Sequence, residues 1–256
     1  MARSRLLDLA RRALPYSVRW RIRWARQLRR DGAPAQAARD VYERAGQNYL
    51  DLVADMGAHV YGQDKAAYLL GIPLALDSRV IVELGSAFSF YDLGHSYEWS
   101  VAQPSESVST RIFLAAARLM AVRGVESVVY SVDIREPIGM RLRLPVDFGL
   151  DRYHRPQFGS DSVAWLGAFE GTIDVLFCDS RHTYRQITSE LDAALPKLSE
   201  RCVVIVDNCY TTTAEVGDPE PGGKFAALQA WSAAHAEFHP TWTKRDMLIL
   251  TRGFAL

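Results

Sequence analysis

Two short stretches of this chain place acids where chemistry could be done. In "LFCDSRHTYRQ", residues 176–186, an apolar run stops at Asp179 and His182 follows three residues later. In "CVVIVDN" a second apolar run, 202–206, stops at the pair Asp207-Asn208. Asp179, Asp207 and Asn208 are hard oxygen donors of the kind that suit Mg²⁺, an ion that keeps coordination positions open for water or substrate. An imidazole beside them can take a proton from a substrate hydroxyl near neutral pH, so His182 is a candidate base; it could equally cap a helix or sit in the core. Two more acids end apolar runs, Glu83 in "RVIVEL" (79–84) and Asp133 after "SVVYSV" (127–132). A carboxylate after the second strand of a nucleotide-binding unit can accept both hydroxyls of a ribose, which suits Asp133. Gly85-Ser86 follows Glu83-Leu84, where glycine lets the backbone approach a ligand. One such acid is accounted for as a helix cap. Four at strand ends point to a cluster with positive or hydrogen-bonding partners, because an unpaired carboxylate is costly to bury.

The elements that must carry these acids alternate. Residues 36–72 have apolar positions near helical spacing. Short β-branched runs then occur at 79–84, 127–132, 173–178, 202–206 and 247–251. Between them lie the helical stretches "STRIFLAAARLMAVRG" (109–124), "TYRQITSELDAALPKL" and "KFAALQAWSAAHAEF". Alternating strands and helices predict a parallel sheet covered on both faces, and continuous apolar runs are the mark of strands buried on both sides. In such sheets ligands bind at the carboxyl ends of the strands, where the four acids fall.

Bulk composition narrows the classes. The chain has 256 residues, 48% of them hydrophobic, enough for one large domain with an added segment. The reading divides it into a basic helical segment, 1–72, and a ligand-binding domain, 73–256. Formal charge is zero but uneven: residues 1–30 hold ten Arg against one Asp (+9), leaving 20 basic against 29 acidic residues (−9) in the rest. The basic arm could lie on a membrane surface or nucleic acid, or pack as helices on the body or on a second copy. No apolar run is long enough to span a membrane, and the N-terminus lacks the apolar core of a secretory signal. Cys178, Cys202 and Cys209 cannot all pair with one another, and two lie in or beside strand-like runs; a reduced, cytoplasmic protein is expected. There is no G-x-G-x-x-G, no G-x-x-x-x-G-K-[ST] and no zinc-type Cys/His spacing, which counts against dinucleotides, triphosphates and zinc.

The stretch "IDVLFCDSRHTYRQITSELDAALPKL" with "VVIVDNCY" resembles the class I S-adenosylmethionine-dependent methyltransferases, and within them the metal-dependent small-molecule O-methyltransferases of catechol and macrolide-sugar type. The resemblance covers roughly residues 76–252. It implies a Rossmann-like, doubly wound, mostly parallel seven-stranded sheet with helices on both faces, the last strand antiparallel, plus N-terminal helices. It implies Mg²⁺ (or Mn²⁺) on Asp179, Asp207 and Asn208, and His182 as general base within Asp-x-x-His. "FGSDSVAWL" resembles the adenine-side loop, with Ser160, Asp161 and Ser162. "PGGKFAALQAW" resembles the helix after the fifth strand. Cofactor contacts are expected from Glu83, Gly85, Ser86, Ser109, Asp133, Ser160, Asp161, Ser162 and Asp179, with Thr110 behind them.

The sequence departs from that family after the first strand. Glu83-Leu84-Gly85-Ser86 is separated from "ESVST" by an insertion rich in Tyr, Phe, Trp, His and Ser, residues 87–105. It is either a surface decoration or a wall of the acceptor pocket. The Pro/Gly-rich loop 211–224 directly follows the Asp207-Asn208 pair and is placed to act as a lid. The expected reaction is methyl transfer to a hydroxyl of a small molecule: a natural-product sugar, a polyketide or a phenol. A methyltransferase-like enzyme of another reaction type, such as a hydroxylase, and a non-catalytic cofactor-binding protein are the alternatives. No 2-His-1-carboxylate iron set is apparent among the six His. The acidic body and the lack of a base-amino motif count against nucleic acid, and the N-terminal helices offer a contact for a homo-oligomer.

Overall fold

The computed structural model describes residues 63–86, 108–134, 149–181, 183–209, 223–243 and 247–253. The basic arm, the aromatic insertion, His182 and loop residues 210–222 lie outside the described residues, and with them the expectations made for them.

Seven strands form one sheet in the order β3-β2-β1-β4-β5-β7-β6. Their ranges are β1 Val80–Leu84, β2 Val128–Asp133, β3 His154–Phe158, β4 Ile173–Cys178, β5 Leu198–Val206, β6 His239–Trp242 and β7 Leu248–Arg252. Strands β1 to β5 are parallel. Strand β7 runs antiparallel to β5 and to β6. Among the described residues five α-helices cover the sheet: α1 Gln63–Leu76, α2 Val108–Val122, α3 Ser162–Ala168, α4 Tyr184–Ala194 and α5 Gly223–Ala234.

The central strands are apolar on both sides because both sides are buried. Ile81, Val129, Val175, Phe177, Val203 and Ile205 face one layer, built from α1 and α2. Val82, Leu84, Val132, Leu176, Cys178, Val204 and Val206 face the other, built from α3, α4 and α5. The period-two alternation of strands thus splits each continuous apolar run between two cores. Helix α2 carries Ala115, Ala116 and Ala117, all buried, where it packs between α1 and the sheet. It stops at Gly124, which adopts φ +80° and donates to the Ala121 carbonyl at 3.1 Å. Glycine makes that left-handed closure without strain.

Helix α1 runs through residue 72, where the sequence reading divides the chain. Ala66, Leu69, Leu70 and Ile72 on it are buried in the core they share with the sheet. The sequence runs locate β1, β2, β4, β5 and β7. Strands β3, "HRPQF", and β6, "HPTW", have no such run; both are sheet edges. An edge strand needs only one hydrogen-bonded side, so it tolerates proline and polar residues.

Candidate active site

Parallel strands in register bring their carboxyl ends to one rim. Leu84 pairs with Val132 on one side and Cys178 on the other, and Cys178 pairs with Val206. The ladder continues one step past the strands: Gly85 N–H donates to Val132 O at 2.9 Å, Asp179 N–H to Leu84 O at 2.9 Å, and Asp207 N–H to Cys178 O at 3.0 Å. Residues 133, 85, 179 and 207 therefore stand side by side. Strand order reverses between β1 and β4, so the crevice there is where this class of sheet binds ligands. At that point Gly85 has φ +84°, and a Cβ on it would lie 2.5 Å from Asp179 O and 2.6 Å from Ser180 Cα. Only glycine fits. The next residue, Ser86, is buried, and its Oγ has no hydrogen-bond partner among the described residues.

Glu83 does not join the other acids at the rim. It lies one residue inside β1, fully buried, on the same face as Ile81 and under the first turn of α2. It accepts from Ser109 Oγ, from Thr110 Oγ1 and, at 3.1 Å, from Ser131 Oγ. Ser131 Oγ in turn meets His154 Nε2 at 2.9 Å. A polar chain thus crosses from β3 to α2 beneath the rim. Burial, with the Arg155 charge beside it, pushes the His154 pKa down to about 4, so its imidazole is neutral at physiological pH. The hydroxyls of Ser109 and Thr110 are directed to this brace. Their sequence position at a helix start, read as cofactor-facing, does not reveal that.

On the β2 side of the crevice, Asp133 is half-buried, and its carbonyl accepts from Ser160 N–H at 3.0 Å. Asp161 is exposed and caps α3, Oδ1 accepting from Ala164 N–H at 2.9 Å. Ser162 is buried and donates to Glu190 Oε1 at 2.6 Å. The same oxygen accepts from Ser180 Oγ at 2.6 Å and from Gln186 Nε2 at 2.9 Å. Glu190, on α4 and fully buried, therefore ties the start of α3 to the loop after β4. Thr183 caps α4 by accepting from Gln186 N–H.

On the far side, Asn208 Nδ2 donates to Asp179 Oδ1 at 3.1 Å, so these two expected ligands do meet. Asn208 adopts φ +52°, a left-handed conformation that asparagine tolerates better than most residues. Asp207 is held differently. It is 1% exposed, forms an ion pair with Lys65 of α1 through Oδ2, and accepts from Asn208 N–H on Oδ1 at 2.8 Å. Lys224, also 1% exposed, donates to the Asp207 carbonyl at 2.6 Å. Both carboxylate oxygens of Asp207 are engaged. Asp179, Asp207 and Asn208 do not present the open three-oxygen set expected for Mg²⁺. Among the described residues there is also no group of three or more His, Cys, Asp or Glu placed to hold a metal.

Lys65, Lys224, Glu190 and His154 are absent from the sequence reading. Lys224 had a signal, the "GGK" at the start of a helix after the fifth strand; the other three had none, since each acquires its role through a distant partner. The three cysteines are free thiols, all buried. Burial pushes the Cys178 thiol well up and the Cys202 thiol up to about 11, so neither supplies a thiolate. Among the described residues no helix is long and apolar enough to cross a membrane.

Residues 108–209, from the start of α2 to just past β5, match a family model described as a methyltransferase domain. No curated protein sequence matches the chain. Solved structures do. A Klebsiella pneumoniae protein assigned as an O-methyltransferase superposes with a TM-score of 0.54 at 16% identity, over 88% of this chain and 92% of that one. An O-methyltransferase from Bacillus cereus, solved with S-adenosylhomocysteine, gives 0.52 at 14% identity, over 82% and 91%. A Podospora anserina methyltransferase, also bound to S-adenosylhomocysteine, gives 0.52 at 12% identity, over 76% and 80%. At these identities the likeness is one of fold, and the matched segment adds the sequence pattern from α2 to β5. The chain thereby has the fold of the class I S-adenosylmethionine-dependent methyltransferases, the fold that the resemblance of "VLFCDSRH" and "VVIVDN" implied.

Proposed function

We propose that this chain transfers the methyl group of S-adenosylmethionine to a hydroxyl oxygen of a small molecule. The observation that carries the reading is the crevice between β1 and β4, where Gly85 is pressed against the Asp179-Ser180 backbone. Candidate cofactor groups lie on one side of it and candidate acceptor groups on the other. Asp133 accepts the two ribose hydroxyls. Asp161, exposed beside α3, receives the adenine amino group. The buried hydroxyl of Ser86 serves the amino-acid end of the cofactor. A sugar, a polyketide and a phenol remain the acceptor classes.

In the reaction the acceptor oxygen attacks the sulfonium methyl in line. A carbon–oxygen bond forms as the carbon–sulfur bond breaks, and the sulfur leaves as a neutral thioether. The hydroxyl proton passes to His182, three residues beyond Asp179 in sequence. Holding the oxygen and methyl in near-attack geometry supplies much of the rate. Mg²⁺, which the sequence resemblance implies, does not fit the residues as they stand, because Asp207 is committed to Lys65. No step is routed through it.

Calorimetric titration with S-adenosylmethionine and S-adenosylhomocysteine tests the proposal. Micromolar binding of both is expected. Asp133→Ala should weaken S-adenosylhomocysteine by about tenfold or more, the worth of a charge-assisted hydrogen bond. Equal affinity in the variant would remove Asp133 from the cofactor site, and no binding to wild type would end the methyltransferase reading.

A further inference from the structure

We propose that Lys65 takes, on Asp207, the place that the sequence resemblance gives to a divalent metal, so that this carboxylate is neutralised without one. The inference deepens the methyltransferase reading and rests on it for the identity of the site. The ion pair itself is independent of substrate.

Three observations converge. First, Lys65 and Asp207 are 13% and 1% exposed, so the pair sits largely out of water. Separating its charges there leaves one of them buried and uncompensated. Second, Asp207 is approached from both layers of the fold. Lys65 comes from α1, and Lys224, 1% exposed, comes from the first turn of α5 on the opposite face. Lys65 thus neutralises the Asp207 carboxylate, and a second ammonium, Lys224, is held on its carbonyl. A divalent cation added here would have to displace an ammonium already paired with Asp207. Third, Asn208 and Asp179 are hydrogen-bonded to each other, the amide donating to Oδ1 at 3.1 Å. The contact that a shared metal would make between these residues is made instead by a hydrogen bond.

A consequence for substrate class follows. A metal at such a rim selects acceptors that can chelate it through two neighbouring oxygens. A lysine held by an aspartate makes no such demand, so acceptors with one isolated hydroxyl are admitted.

The test is a Mn²⁺ titration of the full chain, with free Mn²⁺ followed by electron paramagnetic resonance. Wild type is expected to leave the free Mn²⁺ signal unchanged up to millimolar metal. Lys65→Met should take up one Mn²⁺ per chain, and adding Asp207→Asn should abolish that uptake. Wild-type uptake of one Mn²⁺ per chain that Asp207→Asn removes would overturn the proposal. A folded Lys65→Met, verified by circular dichroism, that takes up none would overturn it as well. If Lys65→Met does not fold, the wild-type arm decides alone. S-adenosylhomocysteine binding is measured on the same samples in EDTA. Its absence would sink the methyltransferase reading and leave the Mn²⁺ result standing, so the two failures are told apart.

Discussion

A single imidazole shows how burial sets chemistry. His154 is 5% exposed on an edge strand, and its pKa of about 4 lies below the ordinary 6.5. The unfolded chain therefore binds a proton between those values that the folded chain does not. Stability contributed by neutral His154 is full above pH 6.5, falls as pH drops toward 4, and levels off below that. The size is about 3 kcal/mol at the acid end. His154→Gln, which can keep a hydrogen bond to Ser131, should flatten the pH dependence of urea unfolding between pH 6.5 and 4; an unchanged slope would show that the proton goes elsewhere. Sequence shows His154 only as a polar residue beside Pro156. The same limit applies to Glu83. Its place at a strand end is legible, but "RVIVEL" is apolar on both faces, so nothing local tells which core the carboxylate enters. The Asp179–Asn208 contact is the part of the candidate site that the motif alone anticipates.

Among the elements, legibility follows burial. Strands β1, β2, β4 and β5 are continuous apolar runs because both faces are covered. Strands β3 and β6 are polar, carry Pro156 and Pro240, and pair on one side only. Their identity is fixed by the neighbour that recruits them, not by their own residues. Helix α1 is apolar enough to read as a helix, yet its role in the sheet's core depends on α2 lying beside it. Caps are readable where the side chain is short and polar. Asp161 before "SVAWL", expected from the sequence to face adenine, is such a cap: its Oδ1 accepts from Ala164 N–H. Asp161→Ala should destabilise the fold by about 1 kcal/mol in chemical denaturation. Asp161→Asn, which keeps a capping oxygen, should restore that stability. If cofactor affinity falls in both variants while only the alanine loses stability, the carboxylate has a binding role beyond the cap.

At the scale of the whole molecule, strand order decides what the chain can do. Placing β1 between β2 and β4 sets Asp133, Gly85 and Asp179 in a row, although 46 residues separate Asp179 from Asp133 and 48 separate Asp133 from Gly85 in sequence. The Lys65–Asp207 pair joins positions far apart in the chain and on different elements, so no local pattern encodes it. The methyltransferase-domain segment, 108–209, contains Asp207 and excludes Lys65. Gly85→Ala is the severest single change expected here. Its Cβ would meet the Asp179 backbone, and its φ of +84° is strained for alanine. A loss of about 3 kcal/mol in stability is expected, with loss of S-adenosylhomocysteine binding in any protein that still folds.

The contact between Gly85 and the Asp179-Ser180 backbone also joins two functions mechanically. The turn proposed to receive the cofactor rests directly on the turn that leads toward the acceptor, with no side chain between them to absorb a shift. A displacement of one turn would be felt by the other, so on the proposed function occupancy of the two half-sites would be energetically linked. By thermodynamic necessity that linkage is symmetric: whatever factor the cofactor contributes to acceptor affinity, the acceptor returns to cofactor affinity.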